Sequence, residues 1–228
     1  FIEDQENYKE GTMIVLRPDD EVFSILAIEE TQLLVHSVLD NSFDKAEENF
    51  RYIYGILKQI QEKDAYTFDH SESVYSLVKK MATALGYKGQ RYLDLMWASK
   101  YHDIGKIYIP DAILNKPESL TDEEYEVMKT HVIKGKDLIL QFFNERVYRI
   151  ASQHHERYDG SGYPLGLVGD DISEEARLIA ICDSFDAMTS GRIYKKAKSH
   201  HEALKEIQAL SGILYDPELV GLFISFMQ

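Results

Sequence analysis

Cysteine occurs once, at Cys182, and tryptophan once, among 228 residues that include only five prolines. A lone cysteine excludes an internal disulfide and any multi-cysteine zinc site, and it fits a reducing compartment, the cytoplasm being the expected one. No apolar run reaches the roughly 20 residues of a membrane helix, and no secretory pattern opens the chain, so no membrane span is expected in it. Internal repeats and low-complexity stretches are missing as well. Positive charge is scarce: 25 Lys and Arg stand against 39 Asp and Glu, a net charge of −14 at pH 7. So acidic a surface repels long polyanions and anionic membranes, which excludes extended nucleic acid as a partner. A small anion can still bind where metal ions and a few cations make the field locally positive. The chain opens on Phe1 rather than Met, and a longer parent protein is expected.

What is present suffices for a sizeable core, with 44% hydrophobic residues. Three β-branched runs, "TMIVLR", "VFSILAI" and "QLLVHSV", predict a short antiparallel β segment within residues 1–41, the tail or cap of an upstream module. From Ser42 the period changes: Phe43, Ala46, Phe50, Ile53, Tyr54, Leu57 and Ile60 recur every three or four residues, as on an amphipathic helix. Helical periodicity then continues to the end. Thr121 with Glu124 predicts a capping box before a helix carrying His131, and Ser199 with Glu202 another before "ALKEIQAL". Asp216-Pro217 predicts the start of the last helix. One long irregular stretch, "ERYDGSGYPLGLVGDDI", holds four of the 13 glycines. The expectation is a mainly α protein in which residues 42–228 form one helical domain.

Histidine carries most of the chemical information. His70 lies near a helix start, His102 adjoins Asp103 in "YHDIGKIYIP", His131 reads as mid-helix, and His154 adjoins His155. Asp183 interrupts the apolar stretch "AICDSFDAM". Five imidazoles and two carboxylates exceed what one tetrahedral zinc takes, and they suit two ions bridged by a carboxylate. Mixed nitrogen and oxygen donors without thiolate favour Fe, Mn, Co, Ni or Zn over Ca or Mg. Two such ions about 3.5 to 4 Å apart clamp an in-line displacement at phosphorus, so the chemistry suggested is phosphoester hydrolysis. Each residue has a plainer reading. His131 alone is more often structural, His154-His155 could be an exposed pair, and Asp183 an N-cap, although Ser173 already marks a helix start ten positions earlier. His36, His200 and His201 are given no role, and Cys182 reads as core filler. Asp186, one turn after Asp183, reads equally as a ligand-orienting residue or a solvated one.

"HSESV", "YHDIGKIYIPDAILNKP", "KTHVIKGKDLI", "ASQHHERYDGSGYP" and "ICDSFDAMTSGRIYKKAKS" resemble, in order and spacing, the HD-GYP domain, a branch of the HD metal-dependent phosphohydrolases. The likeness spans about residues 45 to 228. It implies an HD-type helical bundle around two or three metal ions, iron or manganese leading. The activity implied is a phosphodiesterase that linearises cyclic di-GMP or, in some members, cyclic GMP-AMP. By the same likeness the metal ligands are His70, His102, Asp103, His131, His154, His155 and Asp183, with Asp103 bridging and catalytic. Lys106 is then catalytic too, meeting a non-bridging phosphate oxygen, and Gly105 is read as a left-handed residue ending a helix and aiming that lysine inward.

Arg192 resembles the family's second phosphate-binding cation, in a stretch where Lys195, Lys196 and Lys198 add positive charge, mainly as a solvated face. Tyr163, in the "GYP" of the loop, is expected to stack on a base or contact phosphate. Two departures bear on the outcome. Tyr66 stands where three-metal members carry glutamate, which implies two ions and the linear dinucleotide pGpG as main product, with GMP slower or absent. Ile193 replaces a proline common after the arginine. Alternative readings are an HD phosphohydrolase acting on another nucleotide and a non-catalytic module docking signalling proteins through the GYP loop.

Overall fold

The computed structural model describes residues 52, 53, 55, 56, 58–60, 63, 65–190 and 197–227. In chain order its α-helices are α1 (Ala65–Ala84), α2 (Gly89–Tyr101), α3 (Asp111–Leu114), α4 (Asp122–Lys129), α5 (His131–Lys134), α6 (Lys136–Phe142), α7 (Glu145–Ser152), α8 (Glu174–Thr189), α9 (His200–Ala209) and α10 (Pro217–Met227). Short 3-10 turns lie at Ile104–Tyr108 and Gly169–Asp171. Among the described residues there is no named strand, only the isolated bridges Asp159 to Val168 and Ser211 to Tyr215. The mainly helical expectation holds. The β segment, the 41/42 boundary and the helix start at Ser42 lie outside the described residues.

Apolar spacing decides which faces pack. In α1, Val74, Val78, Met81 and Ala82 recur at three and four residues and are all buried. They meet Leu95, Met96 and Ala98 of α2 within one continuous core. In α8, Ala176, Leu178, Ile179, Ala180, Ile181, Cys182 and Phe185 are buried around most of the helix, which makes it the central element against α1, α7, α9 and α10. Ile53, Ile56 and Ile60, helical where described, join the same core. Cys182 is thus a filler, its thiol pushed up by burial and by Asp183.

The expected caps form. Thr121 with Glu124 and Ser199 with Glu202 make full capping boxes, and Asp216 Oδ1 accepts from the amides of Glu218 at 2.8 Å and Leu219 at 3.1 Å. Ser173 precedes α8 without a side-chain cap bond. No helix among the described residues is long and apolar enough to cross a membrane.

Two expectations need correction. The helix opened by Thr121 does not run through His131: it stops at Lys129, and His131 begins a new four-residue helix. At the break the Thr130 amide and hydroxyl both bond the Val127 carbonyl, at 3.1 and 2.6 Å, tightening the turn to a 3-10 pattern. Gly105 is not left-handed either; it lies within the 3-10 turn and is absent from the positive-φ glycines. Its need for no side chain is steric, because a Cβ there would sit 1.9 Å from the His131 carbonyl oxygen and 2.8 Å from the Gly135 amide. The glycine lets the backbone after Asp103 press directly on the backbone of His131. Gly105→Ala is therefore expected to cost about 2 to 3 kcal/mol through overpacking, measured by urea unfolding, and to lower metal uptake in the same preparation.

Candidate metal centre

Five helices deliver the seven side chains singled out in the sequence. His70 comes from α1, His102 caps the end of α2, and Asp103 follows it at the head of the 3-10 turn. His131 opens α5, His154 and His155 sit in the turn after α7, and Asp183 lies mid-way along α8. His70, His102, Asp103, His131 and His154 are each at most 4% exposed. Donor atoms of Asp103, His131, His154 and His155 lie within 4.8 Å of one another, and so do those of His70, His102 and Asp103. Asp103 belongs to both groups, one oxygen to each. Its Oδ1 is 3.2 Å from His131 Nε2 and 3.9 Å from His154 Nε2, while Oδ2 is 3.4 Å from His102 Nε2 and 2.7 Å from Lys106 Nζ. Asp183 belongs to neither group by that measure, and its Oδ1 lies 2.8 Å from His70 Nε2.

The imidazoles are held in one tautomer. Nδ1 of His102, His131 and His154 bonds the carbonyl of the residue three positions earlier, Ser99 at 2.7 Å, Met128 at 2.7 Å and Ala151 at 2.6 Å. A carbonyl only accepts, so Nδ1 carries the proton and the Nε2 lone pair points inward. Those three Nε2 atoms and Asp103 Oδ1 are buried without any hydrogen-bond partner. Four converging, unsatisfied acceptors are costly in a folded interior unless a cation is their partner. The donor set of imidazoles and carboxylates, with no thiolate, fits first-row transition ions.

Electrostatics agree with that use. Burial and the neighbouring His102 press the His154 pKa down to about 3, and burial with His154 presses His155 well below its ordinary value, so both are neutral donors near pH 7. Burial would raise the Asp103 carboxyl, yet Lys106 and His102 hold it well below the usual carboxylate range. Asp183 is likewise held down, against burial, by His70. At His70 burial works toward the neutral ring, but hydrogen bonds to Asp183 and Asp186 and the charges of Asp183 and Asp103 raise the pKa to about 9. A proton and a metal ion thus compete for the same nitrogen.

The glycine-rich loop folds back over this cluster. Glu156 is buried, and its two oxygens accept from the amides of Leu165 at 2.7 Å and Leu167 at 3.0 Å, tying the far side of the loop to the residue after His155. Gly162 is required because a Cβ would lie 2.3 Å from the Arg157 amide and 2.5 Å from the His155 carbonyl oxygen. The Tyr163 ring then rests on the His155 ring, centroids 4.8 Å apart at 34°, with Lys129 Nζ 5.7 Å from its centroid. Burial raises the Tyr163 hydroxyl, which stays a neutral phenol.

Arg192, Ile193, Lys195 and Lys196 lie outside the described residues. Lys198 pairs with Glu206, a contact on the α9 surface, and His200 and His201 are exposed. Glu156 and Lys129 were not read as site residues from the sequence. Glu156 had a signal, a carboxylate next to two candidate ligands and ahead of a glycine-rich turn, whereas Lys129 had none beyond its place two residues before His131. Asp186 proves buried, Oδ2 2.6 Å from His70 Nδ1, which removes the solvated reading.

The description of the HD domain family matches residues 56–219. A cyclic di-GMP phosphodiesterase of Thermotoga maritima is 38% identical over 203 residues, covering 87% of this chain and 55% of that protein. A 3'3'-cGAMP-specific phosphodiesterase 2 of Vibrio cholerae is 34% identical over 185 residues, 79% of this chain and 35% of the relative. The chain thus spans about half the length, or less, of these relatives. Among solved structures, an HDG"Y"P protein from Bdellovibrio bacteriovorus superposes with a TM-score of 0.58 at 22% identity, over 80% of this chain and 62% of that one. That likeness supports the fold.

Two outcomes follow from the centre. Asp103→Ala removes an oxygen from both groups, so elemental analysis is expected to find at least one ion fewer per chain than in the unsubstituted protein. Because an ion must displace the His70 proton, affinity for Mn(II) is expected to rise about tenfold per pH unit between pH 6.5 and 8.5, below the pKa of about 9, and then to level. Calorimetry in buffers of different ionisation enthalpy counts the released proton.

Proposed function

The chain belongs to the HD domain family, in its HD-GYP branch, and on that premise we propose that it is a metal-dependent phosphodiesterase opening a cyclic dinucleotide. Cyclic di-GMP is the substrate assigned, with the linear dinucleotide pGpG as main product and GMP as the slower one. The observation that carries this reading is Asp103, buried between two groups of imidazoles with one oxygen turned to each. The ligands assigned are His70, His102, Asp103, His131, His154, His155 and Asp183, and the ions two iron or manganese. Held by these residues, two such ions would supply polarisation of phosphoryl oxygens and a lowered pKa for bound water. Tyr66 in place of a glutamate favours two ions over three.

The chain's own groups supply the rest. Lys106, 2.7 Å from Asp103 Oδ2, keeps that carboxylate ionised and places a cation beside the phosphate position, where negative charge grows as the phosphorus becomes five-coordinate. Tyr163 on His155 gives the substrate an aromatic wall, and Arg192 is assigned to phosphate from its motif. A preference for 3'3'-cGAMP is the second reading, favoured by the Vibrio cholerae relative. A purely non-catalytic docking role leaves the partnerless Nε2 atoms without a use, although the GYP loop can still dock signalling proteins in the cytoplasm.

The test is anaerobic purification, metal reconstitution and chromatographic product analysis on cyclic di-GMP, 3'3'-cGAMP and a panel of mononucleotides. Ring opening of a cyclic dinucleotide is expected; two bound ions with no opened product would overturn the assignment. Lys106→Ala is expected to lower kcat on the preferred dinucleotide by about a hundredfold, the usual loss of one charge-stabilising donor, with both ions retained by elemental analysis.

A further inference from the structure

The two halves of the centre are not alike in what stands behind their imidazoles. His131, His154 and His102 lean on main-chain carbonyls. His70 instead sits between two carboxylates, Nε2 at 2.8 Å from Asp183 and Nδ1 at 2.6 Å from Asp186. Asp183 and Asp186 lie one turn apart on α8, so the same helix face that offers a donor also offers a brace. Asp186 is 5% exposed, and its other oxygen, Oδ1, accepts from the Ser190 hydroxyl at 2.9 Å. A carboxylate behind an imidazole fixes the ring and makes the opposite nitrogen a stronger donor than a carbonyl does.

Charge points the same way. His131, His154 and His155 are grouped with one carboxylate, the shared Asp103, whose Oδ1 faces them, and Asp183 reaches His154 and His155 by its charge without a contact as short as the one it makes with His70. Around His70 and His102 stand Asp103 Oδ2, Asp183 and, behind them, Asp186, with Lys106 offsetting one of the three. The His70 side stays the more negative, so a dication there is held by more charge and by a better-braced ring. We propose that Asp186, supported by Ser190, is a positioning residue for His70 that makes the two ion positions unequal, the His70 side filling first and holding its ion more tightly. This rests on the reading of the cluster as a binuclear metal centre.

The experiment is calorimetric titration of Mn(II) into metal-stripped protein at fixed pH, with circular dichroism to confirm that each variant is folded. The unsubstituted protein is expected to take up two ions in two steps at least tenfold apart in affinity. His131→Ala should remove the weaker step and leave the tighter one. Asp186→Asn should weaken the tighter step by about tenfold and Asp186→Ala by up to about a hundredfold, the range seen for groups that orient metal ligands, with the weaker step unmoved. Ser190→Ala, which keeps the carboxylate, should weaken the same step several-fold and serves if the Asp186 variants do not fold. Two equal steps, or an Asp186→Asn shift shared by both steps or absent from both, would overturn the proposal while leaving the metal centre standing. No uptake by the unsubstituted protein would overturn both.

Discussion

A single carboxylate set between two groups of imidazoles is the constraint on which the rest depends. Asp103 can hold that place because the backbone two residues on touches the backbone of His131, with no side chain between at Gly105. Remove that close approach and the 3-10 turn and α5 separate by at least a methyl group. The two oxygens would then no longer reach 3.2 Å from His131 and 3.4 Å from His102 together. The packing of two short, individually weak helical pieces therefore sets the geometry of the chemistry.

The surrounding helices solve the orientation problem with what their ends leave over. The last carbonyls of a helix have no partner inside it. At the ends of α2, α4 and α7 such a carbonyl takes the Nδ1 proton of His102, His131 and His154. One device used three times fixes three tautomers and satisfies three acceptors. It also brings the negative ends of three helix dipoles toward one point, a field that favours a cation there. His70, arriving near the start of α1, is met at both ring nitrogens by carboxylates from α8.

The glycine-rich loop belongs to the same arrangement. Buried Glu156 pins it from inside, and Gly162 lets it pass over His155, so that Tyr163 ends against a metal-ligand candidate. Its irregular path is fixed by hydrogen bonds from two backbone amides to one carboxylate, and rigid placement of an aromatic ring beside a reactive centre is what substrate positioning requires.

By itself the sequence settled the helical class, the capping boxes at Thr121 and Ser199 and the start at Pro217, because these follow from local periodicity and side-chain chemistry, and it singled out the His and Asp side chains whose chemistry suits a metal. Spacing alone could not show that His131 begins a helix rather than lying within one, since a bond from Thr130 to Val127 decides it. It also misread Gly105, whose requirement comes from a neighbour 26 positions away, and it left Asp186 undecided and Glu156 unseen. Which oxygen of Asp103 faces which imidazoles, and which carboxylate braces which ring, was decided only in the tertiary structure. Those facts are distances between elements remote along the chain, and close packing fixes such distances only once all the helices are in place.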